Sequence, residues 1–174
     1  MFIVNRQLQS ARFMEQEPQL NAHNKQEYPP MHTAEHLLNA LMVKTFGCER
    51  SRNAHIERRK SKISYDLAAP LTEGELAYVV NEMNRLVDAD LPVTVEYVTA
   101  DQVPEGVRLD RLPDDVSDTL RLVRIGDYDV CPCAGLHVSH TRQIGRFVLL
   151  GTNWDEEKHS FRIRFKLEAP AENA

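Results

Sequence analysis

The chain has 174 residues, of which 42% are hydrophobic and 27% charged, and its net charge is −5. A chain of this length fits one domain, and it can bury about 70% of its unfolded surface without disulfides to support it. No run approaches the roughly 18 apolar residues of a membrane-spanning helix, and an acidic net charge does not by itself indicate nucleic-acid binding.

The N-terminus predicts an extension of the domain. Residues 1–27 begin with the strand-like MFIV and then become polar and rich in Gln and Asn. The segment lacks the charged start and longer apolar core of a signal peptide, so we expect a cytoplasmic protein. In a chain without a secretion signal, three cysteines favour thiols or metal ligands over disulfides.

The first predicted helix begins just after Pro29-Pro30, a pair that suits the start of a helix. In MHTAEHLLNALMVKTFG, apolar side chains recur at helical spacing from Leu37 to Phe46. Gly47 provides a suitable C-terminal stop.

Two short strands are predicted next, near 53–57 and 61–67, with a basic turn at Arg59-Lys60 between them. The pattern T-x-x-E at Thr72 is a capping box, and it opens a second helix that extends to about Asp88. Apolar side chains form one broad face of that helix, which predicts that it packs on a core.

The second half of the chain predicts strands joined by loops. Alternating residues indicate a strand at 93–98, and the acidic segment 101–117 predicts a loop with one helical turn. Further strands are expected at 119–126, within 145–155 and within 159–169, where Phe and Ile alternate with Arg and Lys.

These elements predict an α+β fold, in which two main helices pack on one face of a mostly antiparallel sheet. We divide the chain into the extension 1–27, a domain at 28–168 and a tail at 169–174 that should fray. The sequence does not indicate an oligomeric state.

Charge is distributed unevenly along the chain. Residues 50–62, RSRNAHIERRKSK, hold six Lys or Arg and one Glu, whereas 101–118 is acidic. A basic run is ordinarily a solvated face. Beside an active site, however, it would suit contacts to a phosphate backbone.

Two pairs of potential metal ligands share a spacing of four residues. His32 and His36 lie on the first predicted helix, where this spacing places both rings on one face. Cys133 and His137 lie in a predicted loop, within the Cys- and His-rich stretch CPCAGLHVSHT. Three imidazoles and one thiolate suit Zn2+, so we predict a zinc site between helix and loop.

Other interpretations of these residues are possible. Cys131 and His140 lie close by, and a Cys131–Cys133 disulfide would be strained and disfavoured in a reducing compartment. HTAEH also matches the H-x-x-E-H signature of inverted zinc peptidases, with Glu35 as general base, but those enzymes use a downstream carboxylate ligand. Glu35 is therefore interpreted as an ordinary helix residue, and Cys48 as a small core residue.

HTAEHLLNAL and, far downstream, CAGLHVSHTRQIG together resemble the editing domain shared by alanyl- and threonyl-tRNA synthetases. The sequence is most similar to the freestanding alanyl-tRNA editing proteins, the AlaX family, whose pattern is HxxxH followed by CGGTHV, a Thr and an Ile-Gly. The resemblance covers roughly residues 28–167. Ala134 and Leu136 replace the family's Gly and Thr, a departure that bears on substrate choice more than on zinc.

The resemblance implies a zinc-dependent hydrolase that cleaves the ester between a wrong amino acid, typically Ser and sometimes Gly, and tRNA(Ala). It implies that the catalytic and zinc-binding residues are His32, His36, Cys133 and His137. Four protein ligands fill a tetrahedral zinc. Either one ligand is loose, the zinc becomes five-coordinate, or zinc positions the substrate while another group activates water.

The same resemblance suggests residues that bind substrate and RNA. Substrate binding is assigned to Thr33, Gly135 and Thr141. Thr33 is chosen because its hydroxyl on the metal-bearing helix could bond a seryl hydroxyl, although a mid-helix Thr more often bonds its own backbone. RNA binding is assigned to Arg58, Arg59, Lys60, Lys62 and Arg142. The alternatives are a Ser-tRNA(Thr) deacylase and a non-catalytic zinc module that binds tRNA or a synthetase.

Overall fold

The computed structural model describes residues 27–110 and 118–170. Most of the predicted N-terminal extension, part of the acidic loop and the end of the predicted tail lie outside these residues. No helix in the described part of the chain is long and apolar enough to cross a membrane.

The described residues form two α-helices, seven strands and two short 3-10 helices, Ala100–Gln102 and Thr141–Ile144. The α-helices are α1 (Pro29–Phe46) and α2 (Glu73–Asp88). The strands are β1 (Asn53–His55), β2 (Ser61–Asp66), β3 (Val93–Thr99), β4 (Thr119–Ile125), β5 (Asp129–Pro132), β6 (Arg146–Asp155) and β7 (Ser160–Glu168). Each predicted helix and strand is present. β5 was missed because its last two residues belong to the Cys- and His-rich stretch, which was interpreted as a loop.

The α+β class is confirmed, but the strands divide into two antiparallel sheets. One has the order β1-β2-β7-β6 and the other the order β3-β4-β5. Alternation along a strand predicts which side chains face the core and does not name the strand's neighbour, so the sequence pointed to one sheet.

Local signals set the ends of both helices. α1 has a proline in its first turn and ends at Gly47, whose left-handed backbone (φ 67°) lets its N–H bond Val43 O. At the start of α2 the capping box is formed in both directions, between Thr72 and Glu75. These ends agree with the prediction because capping depends on neighbouring residues alone.

The core lies between the two helices and the inner face of the four-stranded sheet. α1 is buried along most of its length, and α2 packs against both α1 and β6. The sheet contributes the buried side chains Ile63, Tyr65, Phe147, Phe161, Ile163 and Phe165. α1 is thereby fixed in place, which matters because it carries two of the predicted metal ligands.

Candidate metal centre

Four side chains from two distant segments meet beside the first turns of α1. His32 and His36 project from α1, while Cys133 and His137 follow β5. The ligand atoms of these four residues all lie within 4.8 Å of one another. The structure therefore brings together the four residues that the sequence selected as metal ligands.

The packing of the rings fits a metal better than it fits a set of hydrogen bonds. The ring centroids of His32 and His137 are 4.1 Å apart, and His36 lies 4.5 Å from His137. Nε2 of His137 is buried without a hydrogen-bond partner among the described residues, although buried polar atoms are nearly always bonded. Tetrahedral zinc ligands lie about 3.5 Å apart, so modest movements would suffice to hold an ion.

The protonation states suit metal binding by the imidazoles. Burial and the neighbouring His32 ring lower the pKa of His137 to about 3, and burial also lowers the pKa of His36 well below its usual value. Both rings are therefore neutral near pH 7. Burial raises the pKa of the Cys133 thiol to about 11, so a metal would have to displace its proton.

Thr33 fixes the orientation of His137. Its hydroxyl donates to Pro29 O at 3.1 Å and lies 2.9 Å from Nδ1 of His137. With the hydroxyl proton committed to Pro29, the oxygen accepts from Nδ1–H, which leaves the lone pair of Nε2 facing the other ligands. The oxygen also accepts from Val138 N at 3.2 Å, and Thr33 is fully buried.

This environment argues against the expected contact between Thr33 and a substrate hydroxyl. The bond to Pro29 O is the backbone bond that a mid-helix threonine commonly makes. The hydrogen-bond partners of the hydroxyl are Pro29 O, Val138 N and Nδ1 of His137. The hydroxyl therefore serves to orient His137, a predicted metal ligand.

The loop after β5 is held against α1 by contacts that the sequence did not reveal. Arg121 on β4 donates to Cys133 O at 2.7 Å and to Gly135 O at 2.8 Å. Leu136 N donates to Glu27 Oε2 at 2.6 Å. Because Arg121 reaches the loop through the pairing of β4 with β5, its role could not be predicted before β5 was known.

Gly135 is required by a close approach to His32. A Cβ atom at this position would lie 2.2 Å from Cε1 of His32 and 2.8 Å from Glu27 Oε1. The backbone N–H of Gly135 also donates to Cys133 Sγ at 3.3 Å. Gly135, predicted to bind substrate, therefore lies at the centre itself and lets the loop pack on a predicted ligand.

A cavity of about 450 Å³ opens beside His36. Glu35, Asn39 and Cys131 contribute to its wall. Arg50 and Asp129, which also line it, form a bidentate ion pair with N–O distances of 2.7 and 3.2 Å. The residues that line it are Glu35, His36, Asn39, Ala40, Val43, Lys44, Cys48, Glu49, Arg50, Ser51, Gly106, Val107, Arg108, Asp129, Val130, Cys131 and Pro132.

The cavity contains carboxyl groups in unusual environments. Burial raises the pKa of Glu35, which was interpreted as an ordinary helix residue. Burial also raises the pKa of Asp129, although Arg50 partly opposes the shift, and Asp129 Oδ2 lies 3.8 Å from Nδ1 of His36. Cys48, Cys131 and Cys133 form no disulfide among the described residues, and Cys131 lies outside the ligand group.

Two other predicted site residues lie in a different part of the structure. Thr141 is fully buried, and its hydroxyl donates to Leu86 O at 2.7 Å and accepts from Leu91 N at 2.8 Å. Its hydroxyl thus joins the end of α2 to the following chain, and its assignment to substrate binding stays a prediction. Arg142 is exposed and lies 4.0 Å from Asp90.

The remaining RNA-binding candidates lie in and after the turn that joins β1 to β2. Arg58 stacks over the ring of Tyr28, 5.0 Å from its centroid, just before α1. Arg59 and Lys60 are exposed in the turn, and Lys62 is exposed on β2. The basic turn, defined as Arg58, Arg59 and Lys60, is therefore close to the helix that carries His32.

Comparison with known proteins finds similarity to alanyl-tRNA editing proteins and to the editing-related domain of tRNA synthetases. Residues 120–164 match the family model described as the threonyl and alanyl tRNA synthetase second additional domain. The alanyl-tRNA editing protein AlaX-L of Pyrococcus horikoshii is 33% identical over 137 residues, which are 78% of this chain and 32% of that protein.

Two further relatives extend the comparison. The putative alanyl-tRNA editing protein alaX of Saccharomyces cerevisiae is 27% identical over 155 residues, covering 81% of this chain and 34% of its own. The alanine–tRNA ligase of Treponema denticola is 26% identical over 74% of this chain and 22% of its own. The chain thus spans about a third or less of these relatives, and the resemblance found in its motifs is confirmed.

Proposed function

We propose that this chain, which is related to the alanyl-tRNA editing proteins, is a zinc-dependent deacylase that hydrolyses the ester of mischarged tRNA(Ala). Ser-tRNA(Ala) is the main substrate and Gly-tRNA(Ala) a second one. The observation that carries the proposal is the group His32, His36, Cys133 and His137, of which His36 also lines the cavity.

The four residues of the group would hold Zn2+, because their donor set of three nitrogens and one sulfur suits it. When bound, zinc supplies Lewis acidity for an ester carbonyl or lowers the pKa of a water molecule. Thr33 keeps His137 in the tautomer whose Nε2 can bind a metal, and Leu136 O, 3.2 Å from Nδ1 of His32, does the same for that ring.

The cavity would receive the aminoacyl end of the tRNA. At about 450 Å³ it lies within the usual range of ligand pockets, roughly 300–1,000 Å³. Arg50, Asp129 and Asn39 place polar groups in a mostly apolar wall, and these groups suit the ammonium and hydroxyl groups of a seryl ester.

Glu35 is the residue best suited to move a proton in this cavity. Its carboxyl lines the cavity one residue before His36, and burial raises its pKa toward the range in which an acid can both give and take a proton. We assign to it the transfer of a proton to the ribose oxygen that leaves when the ester is cleaved. The basic turn would bind phosphates of the acceptor end.

The test is hydrolysis of purified mischarged tRNAs. We expect release of Ser from tRNA(Ala) in preference to Gly, no release of Ala from correctly charged tRNA(Ala), and slower release of Ser from tRNA(Thr). A chelator should abolish the activity and added zinc should restore it. Faster hydrolysis of Ser-tRNA(Thr) would instead identify that tRNA as the substrate.

A non-catalytic zinc module is the second candidate, because four protein ligands fill a tetrahedral zinc. In that case the protein would bind zinc and tRNA while every mischarged tRNA stayed intact at stoichiometric protein. Glu35→Gln separates the two candidates further. It should lower hydrolysis without lowering zinc content if Glu35 transfers a proton.

A further inference from the structure

The outer face of the four-stranded sheet carries a group of cations that the proposed function leaves without a role. Inward-facing residues of β2 and β7, such as Ile63 and Phe165, are buried against the helices. Residues at alternate positions face outward. Among these are four cations, which we call the outer-face cluster: Lys62, Arg162, Arg164 and Lys166.

The strand register places these cations next to one another. Lys62 on β2 is directly opposite Arg164 on β7, and Arg162 and Lys166 flank Arg164 on the same strand. The neighbouring outward positions hold Asn53, His55, Ser64, Val148, Gly151 and Asn153. His55, directly opposite Lys62, pairs with Glu57. Acidic residues of the paired strands occur only at the ends of this face, as Asp66, Asp155 and Glu168.

Few interactions within the protein offset this charge. Nε of Arg162 donates to Ser64 Oγ at 3.3 Å, and Nζ of Lys166 lies 3.6 Å from Glu168. Among the described residues, no acidic side chain forms an ion pair with Lys62 or Arg164. Like charges directly opposite each other destabilise a sheet, so the pair of Lys62 and Arg164 lowers the stability of this sheet. The concentration of cations is not a consequence of composition, because the net charge of the chain is −5.

Gly151 gives Arg164 its position on this face. Gly151 is opposite Arg164 in the register of β6 and β7, and a Cβ there would lie 2.6 Å from Nη2 of Arg164. The guanidinium therefore lies across β6, where it remains exposed. A planar guanidinium that is exposed and not paired with an acid is well suited to a phosphate oxygen.

We propose that the outer-face cluster binds the phosphate backbone of tRNA. It continues the basic turn across the sheet, because Lys62 follows Lys60 by two residues and lies beside Arg164. The basic turn in turn approaches α1 through the stacking of Arg58 on Tyr28. The exposed uncharged side chains Asn53 and Asn153 add groups that commonly bond phosphate and sugar. The identity of the RNA as tRNA rests on the proposed function.

The decisive variant changes the new part of this surface and leaves the basic turn intact. In R162Q/R164Q/K166Q, three charges are removed from β7. The control R85Q/R124Q removes two positive charges at arginines that already pair with acids, Glu82 and Glu96 respectively, and that lie outside the cavity wall. It matches in charge the double variant R164Q/K166Q. R164Q/K166Q serves as a second variant, because Arg162 also bonds Ser64 within the sheet.

Binding of uncharged tRNA, measured from low to physiological salt, separates this proposal from the proposed function, because binding needs no hydrolysis. Each phosphate that the protein no longer neutralises should reduce the slope of log affinity against log salt by about 0.7 to 0.9. We expect a reduction of about two to three for the triple variant and less than one for the control. Thermal stability should be unchanged or increased, since repulsion is removed.

Gly151→Ala keeps every charge and displaces only the Arg164 guanidinium. It should weaken tRNA binding by a few fold, in the same direction as the triple variant, with an unchanged zinc content. If the triple variant keeps the wild-type salt slope, or if the control reduces it equally, the outer-face cluster does not bind RNA, whether or not the protein hydrolyses mischarged tRNA.

Discussion

In the candidate metal centre, the ligand atoms of four side chains from α1 and the loop after β5 lie within 4.8 Å of one another, with His36 buried and the other three half-buried. In the outer-face cluster, four cations are spread over β2 and β7 in contact with solvent. The residues of the centre depend on one another for position and protonation. Those of the cluster act through the sum of their charges.

This contrast determines how each region should respond to substitution. Removing one residue from a group that acts as a unit can cost nearly as much as removing all of it, whereas effects at independent sites add. A single substitution in the centre should therefore abolish most zinc binding. On the charged surfaces, each cation removed should weaken RNA binding by a small amount.

The largest effect is expected from Cys133→Ser. This change removes the only sulfur of the ligand group, and metal content should fall from one zinc per chain to nearly none. Cys131→Ser is the matched control, since Cys131 lies two residues away in the cavity wall and outside the ligand group. Elemental analysis of both purified variants decides the point. Zinc kept by Cys133→Ser and lost by Cys131→Ser would reassign the ligand.

Gly135→Ala should have the next largest effect. The new Cβ would lie 2.2 Å from Cε1 of His32, so either the ring or the loop must move. We expect zinc affinity, measured by competition with a chromophoric chelator, to fall by at least about tenfold, in the range seen when the support of a metal ligand is removed.

Gly74→Ala in α2 provides the control for this prediction, because a Cβ there meets nothing within 4 Å. It should leave zinc affinity unchanged and stabilise the helix slightly. Equal zinc affinities for Gly135→Ala and the wild type would mean that the loop does not hold His32 in its ligating position.

The sequence predicted the parts of the centre that depend on local spacing. The histidine pair follows from helical geometry, and the helix ends at Gly47 and Thr72 follow from capping. Arg121 was missed because only the pairing of β4 with β5 brings it to the loop. The Arg50–Asp129 pair was missed because only the tertiary fold brings the segment after α1 to β5. Lys62 was predicted to bind RNA, whereas the other three members of the outer-face cluster were missed because their position depends on strand pairing. Arg162 and Arg164 were recognised as a polar face, but their position beside Lys62 depends on the register of β2 and β7.

Thr33 shows that a role inferred from the sequence can change once the tertiary contacts of the residue are known. From the sequence it was a candidate to bond the substrate, and in the structure its hydroxyl bonds His137. Thr33→Val keeps the shape and removes the acceptor for Nδ1–H. We expect zinc affinity to fall by about tenfold, with hydrolysis of seryl and glycyl esters reduced in parallel when zinc is limiting.

The two roles of Thr33 predict different results for the same variant. If the hydroxyl contacted the substrate, Thr33→Val would keep its zinc and lose hydrolysis of the seryl ester selectively. Chelator competition and the ratio of the two hydrolysis rates therefore distinguish a residue that orients a ligand from one that recognises serine.

The smallest effect per residue is expected in the basic turn. Replacing Arg58, Arg59 and Lys60 with Ser should reduce the salt slope of tRNA binding by about 0.7 to 0.9 for each phosphate left without a cation, and zinc content should not change. Arg58 also stacks on Tyr28 next to α1, so Arg58→Lys, which keeps the charge but not the planar group, tests whether that stacking matters.

If the turn and the outer-face cluster form one surface that binds phosphates independently, the reductions in salt slope measured for the two sets of substitutions should add when the sets are combined. A combined reduction no greater than that of either set alone would show that the RNA cannot reach both at once.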